Sequence, residues 1–105
     1  MIEDDSKFSD EARKELTRIN EMGIQCLETA LKAYEVTDDR LAKKAMVLED
    51  HVDKLESNMR TNHIKRLVQK VCEPMAGIAF LDTLNNIERI SDHASNIAQV
   101  VLEEI

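Results

Sequence analysis

The chain has 105 residues, and its 21 aspartates and glutamates against 14 lysines and arginines leave a net charge of −7. That length suits one domain with a single core, and that charge excludes nucleic-acid binding through bulk electrostatics. One proline, two glycines, no tryptophan and 3% aromatic residues point to a helical protein with an aliphatic core.

Met1 to Asp10 is acidic and lacks the apolar stretch of a signal peptide. No apolar run approaches the ~20 residues needed to cross a bilayer. The segment is therefore expected to be cytoplasmic and not inserted in a membrane. Cys26 and Cys72 lie far apart with no C-x-x-C spacing, which reads as reduced, buried thiols rather than a disulfide.

Residues 1–8 are polar and read as a frayed terminus, leaving 9–105 as a single three-helix domain. The first helix is expected to start with Ser9 as N-cap, with Asp10 and Glu11 in the turn where the macrodipole favours anions. Its apolar stripe is Ala12, Leu16, Ile19, Gly23, Cys26, Ala30 and Ala33, in bundle-type steps of three and four. Gly23 costs about 1 kcal/mol of helix propensity relative to alanine, which close approach of another helix would offset.

A short turn is expected after Tyr34, with Thr37 as the next N-cap and Val36 and Leu41 as a hydrophobic staple. The second stripe runs Leu41, Ala45, Leu48, Val52, Leu55, Met59 and continues through Ile64, Leu67 and Val71. Arg60, His63, Lys65, Arg66 and Lys70 crowd its C-terminal half. Cations suit a helix C-terminus; the other reading is a patch for an anion or partner.

Pro74 opens the third helix, since proline fits a first turn and not an interior. Its stripe is Phe80, Leu84, Ile87, Ser91, Ala94, Ala98, Val101 and Ile105. Short connections between long helices make antiparallel neighbours. The expected fold is all-α, an antiparallel three-helix bundle whose second and third helices are about 45–50 Å long at 1.5 Å per residue.

Two acid pairs stand out. Glu49 and Asp53 are four residues apart, and so are Glu88 and Asp92, which places each pair on one helix face. Both pairs flank the same side of their stripe, beside Leu48, Val52 and Leu55 in one helix and Ile87, Ser91 and Ala94 in the other. Glu11 and Glu15 share the spacing but not the phase. If the helices reverse near position 72, the four acids lie within about two turns of one another.

Whether the two flanks meet in one groove or look out from opposite sides depends on bundle handedness, which the sequence does not state. One reading is a solvated acidic face, since like charges at i, i+4 cost only tenths of a kcal/mol. The other is a cation site, because converging carboxylates are relieved by protonation or by a cation. Oxygen donors favour magnesium, calcium, manganese or ferric iron. A ferritin-like oxidase would place a histidine three residues after each glutamate, where Val52 and Ser91 stand instead. His51 and His93 read as surface residues, and Asp82, Asn85 and Asn96 as secondary oxygen donors. Ser91 reads as a small packing residue. No phosphate loop, nucleophile elbow or H-E-x-x-H is present in the sequence, so a non-enzymatic role is expected.

At these residues the chain resembles the PhoU family. The matching blocks are Glu49-Asp50-His51-Val52-Asp53, His63-Ile64-Lys65-Arg66-Leu67, Cys72-Glu73-Pro74, Ala76 to Asp82, and Asn86 to His93. The likeness is greatest to the PhoU-like cytoplasmic domain of sodium/phosphate cotransporter-related membrane proteins and covers residues 37–102. The resemblance implies one PhoU-type repeat that regulates phosphate transport, with Glu49, Asp53, Glu88 and Asp92 as ligands for multinuclear iron or zinc. PhoU regulators hold two tandem repeats where this chain has one. Either two copies associate, or the chain is a domain of a longer inner-membrane transporter. The reading from a different class is a helical dimerisation or interaction module with no metal role.

Overall fold

The computed structural model describes residues 10–69 and 74–104, apart from the side chains of Pro74 and Glu104. Three helices account for nearly all of them: α1, Asp10–Val36; α2, Asp39–Val68; and α3, Pro74–Glu104. They pack pairwise, up-down-up, into a rod 51 × 25 × 16 Å. Cys26 meets Ala45, and Glu15 meets Asn62, so α1 and α2 are antiparallel. Arg60 meets Asn85 and Ser95 meets Met46, which gives α2 and α3 the register of a reversal near position 72.

The seams read from the sequence hold along α1 and α3. Ala12, Ile19, Gly23, Cys26, Ala30 and Ala33 are buried in α1. Phe80, Leu84, Ile87, Ser91, Ala94, Ala98 and Val101 are buried in α3; Ile105 lies outside the described residues, as do Ser9, Val71 and Cys72. Gly23 lies where a Cβ would stand 3.0 Å from Ile87 Cγ2. That is the close approach its cost in helix propensity implied.

The core divides along the rod. Around Cys26 and Ala45 it consists mostly of alanines, with Val101. Toward the other end Ile19, Val52, Met59, Phe80, Leu84 and Ile87 fill it. Small residues let the helices approach closely, and larger ones fill the space where they spread.

Three local expectations need correction. First, α1 runs through Val36, and Thr37 does not cap α2. Its φ of 51° places it in the left-handed region, and the Asp38 N–H donates to Ala33 O at 3.0 Å. This is a Schellman ending for α1, with threonine at the position glycine usually takes. Second, the N-cap is Asp38, whose Oδ1 accepts the Arg40 N–H at 2.9 Å. Val36, expected in a staple, is exposed instead.

Third, the α2 stripe does not continue through Ile64, which is 51% exposed. Beyond Val52 the buried positions are Glu56, Met59, His63 and Arg66. Steps of four and three simply carry on, but through polar residues.

Candidate functional site

Glu49 and Asp53 sit on the edge of α2 that faces α3, and Glu88 and Asp92 sit on the edge of α3 that faces back. Glu49 and Glu88 are half-buried, Asp53 and Asp92 exposed. Burial pushes the Glu49 carboxyl above its ordinary range, and the negative charges of Asp53, Asp92, Asp50 and Glu88 push it further. Burial also raises Glu88, followed by Glu56, Asp92 and Asp53, while Arg60 pulls it back. Glu49 thus feels both acids of α3, and Glu88 feels Glu56 and Asp53 of α2, so the two acidic edges lie side by side along the helix pair.

The groove is not uniform along its length. Arg60 pairs with Glu56 on its own helix and donates from Nη2 to Asn85 Oδ1 at 2.9 Å. Asn85, read as a secondary oxygen donor, therefore has its oxygen engaged there. Beyond this clamp, none of Glu49, Asp53, Glu88 and Asp92 makes an ion pair among the described residues. His51 and His93 are exposed, as the sequence suggested. Ser91 is buried, and its hydroxyl donates to Glu88 O at 2.9 Å, which closes its polar group locally.

The four side chains are within electrostatic reach without being drawn to a point. Among the described residues, no three of His, Cys, Asp and Glu stand close enough to hold a metal ion. The donor set is all oxygen, and burial with neighbouring negative charge disfavours ionisation of its two glutamates. Such a set fits a hard cation chemically, and coordination would require the carboxylates to turn inward.

The sequence reading missed a second polar cluster, at the end of the bundle near the α2–α3 connection. Arg66 Nη1 donates to Glu11 Oε1 at 3.0 Å, and Nη2 donates to Glu15 Oε1 at 2.9 Å. Its side chain is only 8% exposed, and its guanidinium carbon lies 5.3 Å from the Phe80 ring centroid. His63 stacks on Phe80 at 4.2 Å and is 3.1 Å from Gly77 O through Nε2. A Cβ at Gly77 would stand 2.9 Å from Leu67 Cδ2 and 3.2 Å from His63 Nε2, so the glycine admits the ring. Arg60 and Arg66, for which an anion or partner patch is the alternative to a helix C-terminal charge preference, are committed to carboxylates of this chain. The signal was in the sequence: counting four and three on from Met59 lands on His63 and Arg66, not on Ile64.

The PhoU domain model matches residues 16–101. A phosphate-specific transport system accessory protein PhoU homolog of Xylella fastidiosa is 32% identical over 90 residues, covering 81% of this chain and 36% of its own length. PhoU homolog 1 of Thermotoga maritima, of the same description, is 24% identical over 98 residues, 93% of this chain and 42% of the relative. No solved structure gives a significant match. The chain belongs to the PhoU domain family. It spans about two-fifths of the length of these curated relatives.

Proposed function

We propose that this chain is a non-enzymatic regulatory module of phosphate transport, acting in the cytoplasm by contact with a transporter, and that its α2/α3 groove takes multivalent cations. The names of the relatives support the first part. No helix among the described residues is long and apolar enough to cross a membrane, so contact with a transporter would be made by a peripheral or tethered domain. The reading that the chain is the cytoplasmic part of a sodium/phosphate cotransporter-like protein belongs to the same proposal.

One observation carries the cation reading: four carboxylates of facing helix edges repel one another in one groove, and no lysine or arginine pairs with them among the described residues. Glu49, Asp53, Glu88 and Asp92 would hold the ion. A bound cation would offset the negative charge that raises Glu49 and Glu88. Iron or zinc in a multinuclear site is the family-based expectation, and magnesium, calcium or manganese the one from donor chemistry alone.

The test is metal content of protein purified without chelator, beside Glu49→Gln and Glu88→Gln variants. Bound metal that falls in both variants supports the site, and equal content in all three removes those residues from it. Phosphate uptake in cells lacking the chain, with and without its restoration, tests the regulatory part. A second reading, an interaction module indifferent to metal, is favoured by the hollow of about 360 Å³ between Leu31, Tyr34, Ile97 and Val100 on α1 and α3. It predicts an association state unchanged by chelator and by both substitutions.

A further inference from the structure

The edge of α2 turned away from the acids faces α1 across a second groove of opposite character. Two adjoining hollows of about 220 and 260 Å³ lie along it, and Arg18 and Asn58 line both. The floor is apolar, made by Met22, Leu55 and Met59. The rim is cationic or amide: Lys14 and Arg18 from α1, His51, Lys54 and Asn58 from α2.

In a chain with 21 acids to 14 lysines and arginines, unpaired cations in one place are unexpected. Lys14 and Arg18 make no ion pair among the described residues, and Lys54 has only the exposed Asp50 at 3.1 Å. The carboxylate that lines this groove, Glu15, is already spent on Arg66 and Asn62. The buried Arg66 therefore neutralises the groove's own acid and leaves its rim positive.

We propose that the α1/α2 groove docks an acidic amphipathic helix of a partner protein, apolar side on Met22 and Leu55, carboxylates against Lys14, Arg18 and Lys54. Charge complementarity fixes the sign of the partner. The apolar floor offers nothing to a free inorganic anion, so the ligand must bring apolar side chains as well. From His51 to Asn62 the α2 wall is about 16 Å long, the reach of three helical turns. Neither the groove nor its rim carries an aromatic platform for nucleobases. The described residues present no sheet edge for an added strand, which leaves helix-in-groove recognition. This inference is independent of the cation site, because the two grooves lie on opposite edges of α2.

The test uses a fluorescein-labelled peptide of about fifteen residues, with leucines at helical spacing and glutamates around them, titrated by anisotropy. Saturable binding is expected at low salt, weakening at least about tenfold at high salt. The double charge reversal Arg18→Glu with Lys54→Glu should weaken it at least about tenfold, with helicity and melting unchanged. Arg89→Glu, on the outer face of α3, should leave it alone. Amide shift changes should centre on Lys14, Arg18, His51 and Asn58. Equal affinity in the double variant, shifts centred on Leu31 and Ile97, or no saturation near a millimolar would overturn the proposal. So would anionic lipid vesicles outcompeting the peptide.

Discussion

His63 Nδ1 accepts from Arg66 Nη2 at 3.3 Å, one turn along the same helix. The same guanidinium nitrogen donates to Glu15 on α1. With its Nδ1 lone pair used this way, the ring carries its proton on Nε2 and donates it to Gly77 O on α3. One neutral imidazole thus ties α2 to α3 directly and to α1 through Arg66, and only one tautomer serves.

Protonating that ring would set a second N–H against the guanidinium. Burial pushes His63 below its ordinary value, and the Arg66 charge lowers it further, against smaller opposing effects of Gly77 and Glu15. The unfolded chain therefore binds a proton more readily than the folded one. Stability should be unaffected by this group above about pH 6.5, and should fall as pH drops from there through the depressed folded value. Melting temperatures taken from pH 7.5 downward should show this loss. A His63→Gln variant, less stable throughout, should show a shallower slope across that window.

Arg66 itself should be among the costliest side chains to remove. Glu15 has a side chain only 15% exposed, so Arg66→Met strands a half-sequestered carboxylate as well as freeing His63 Nδ1. Breaking one partner of a buried pair costs about 3–5 kcal/mol, and urea unfolding should find most of that. Adding Glu15→Gln should recover part of it, as coupled neighbours are non-additive. Lysine should rescue poorly, because one ammonium does not reproduce a fork that reaches two carboxylates and an imidazole.

Thr37 offers a change in the other direction. A β-branched residue in the left-handed region costs about 1–2 kcal/mol, against roughly 0.5–1 kcal/mol of extra unfolded-state entropy for glycine. Thr37→Gly should therefore stabilise the bundle by about 0.5–1 kcal/mol. An Asp38→Ala change should cost about 1 kcal/mol through the lost cap. Denaturant midpoints compare both directly.

These residues show what the sequence made legible. Hydrophobic stripes settled three helices, their order and the α2–α3 register, because burial at steps of three and four is a one-dimensional signal. The turn was misplaced by one residue, since Thr37 and Asp38 are both good caps and only the backbone of the preceding helix end decides between them. The α2 stripe was misread past Met59 because apolar Ile64 and Leu67 drew it away from His63 and Arg66. Buried charge becomes predictable only when its partners are known, and Glu11 and Glu15 lie some fifty positions earlier. The shared phase of the two acid pairs was legible. Their meeting in one groove was not, because handedness is a property of the assembled bundle.

In that groove, raised carboxyls make a prediction of sign opposite to that of His63. A folded pKa above the unfolded value contributes stability that is full at low pH and is lost as pH rises through it. Glu49→Gln and Glu88→Gln should each gain a few tenths of a kcal/mol at neutral pH, the scale of a like-charge pair on an exposed helix. The gain should vanish below about pH 4. Millimolar manganese should raise the wild-type melting temperature and shrink the advantage of both variants. Equal shifts in all three proteins would leave the carboxylates as a bare acidic face.

Cys26 closes the alanine-rich end of the core, and its Sγ donates to Ala45 O at 3.3 Å. Burial and then the nearby Glu49 charge push the thiol up to about 11. At pH 8 almost none of it is thiolate, and the thiolate is the reactive species. In a Cys72→Ser background, labelling by a disulfide reagent should therefore be slow and should accelerate with denaturant in step with global unfolding. Because Glu49 holds the thiol up, Glu49→Gln should lower its value and speed any labelling that proceeds from the folded state. A rate that ignores both denaturant and the Glu49 charge would mean the sulfur reaches solvent by a local opening of α1 against α2, loosening the packing that sets one wall of the acidic groove.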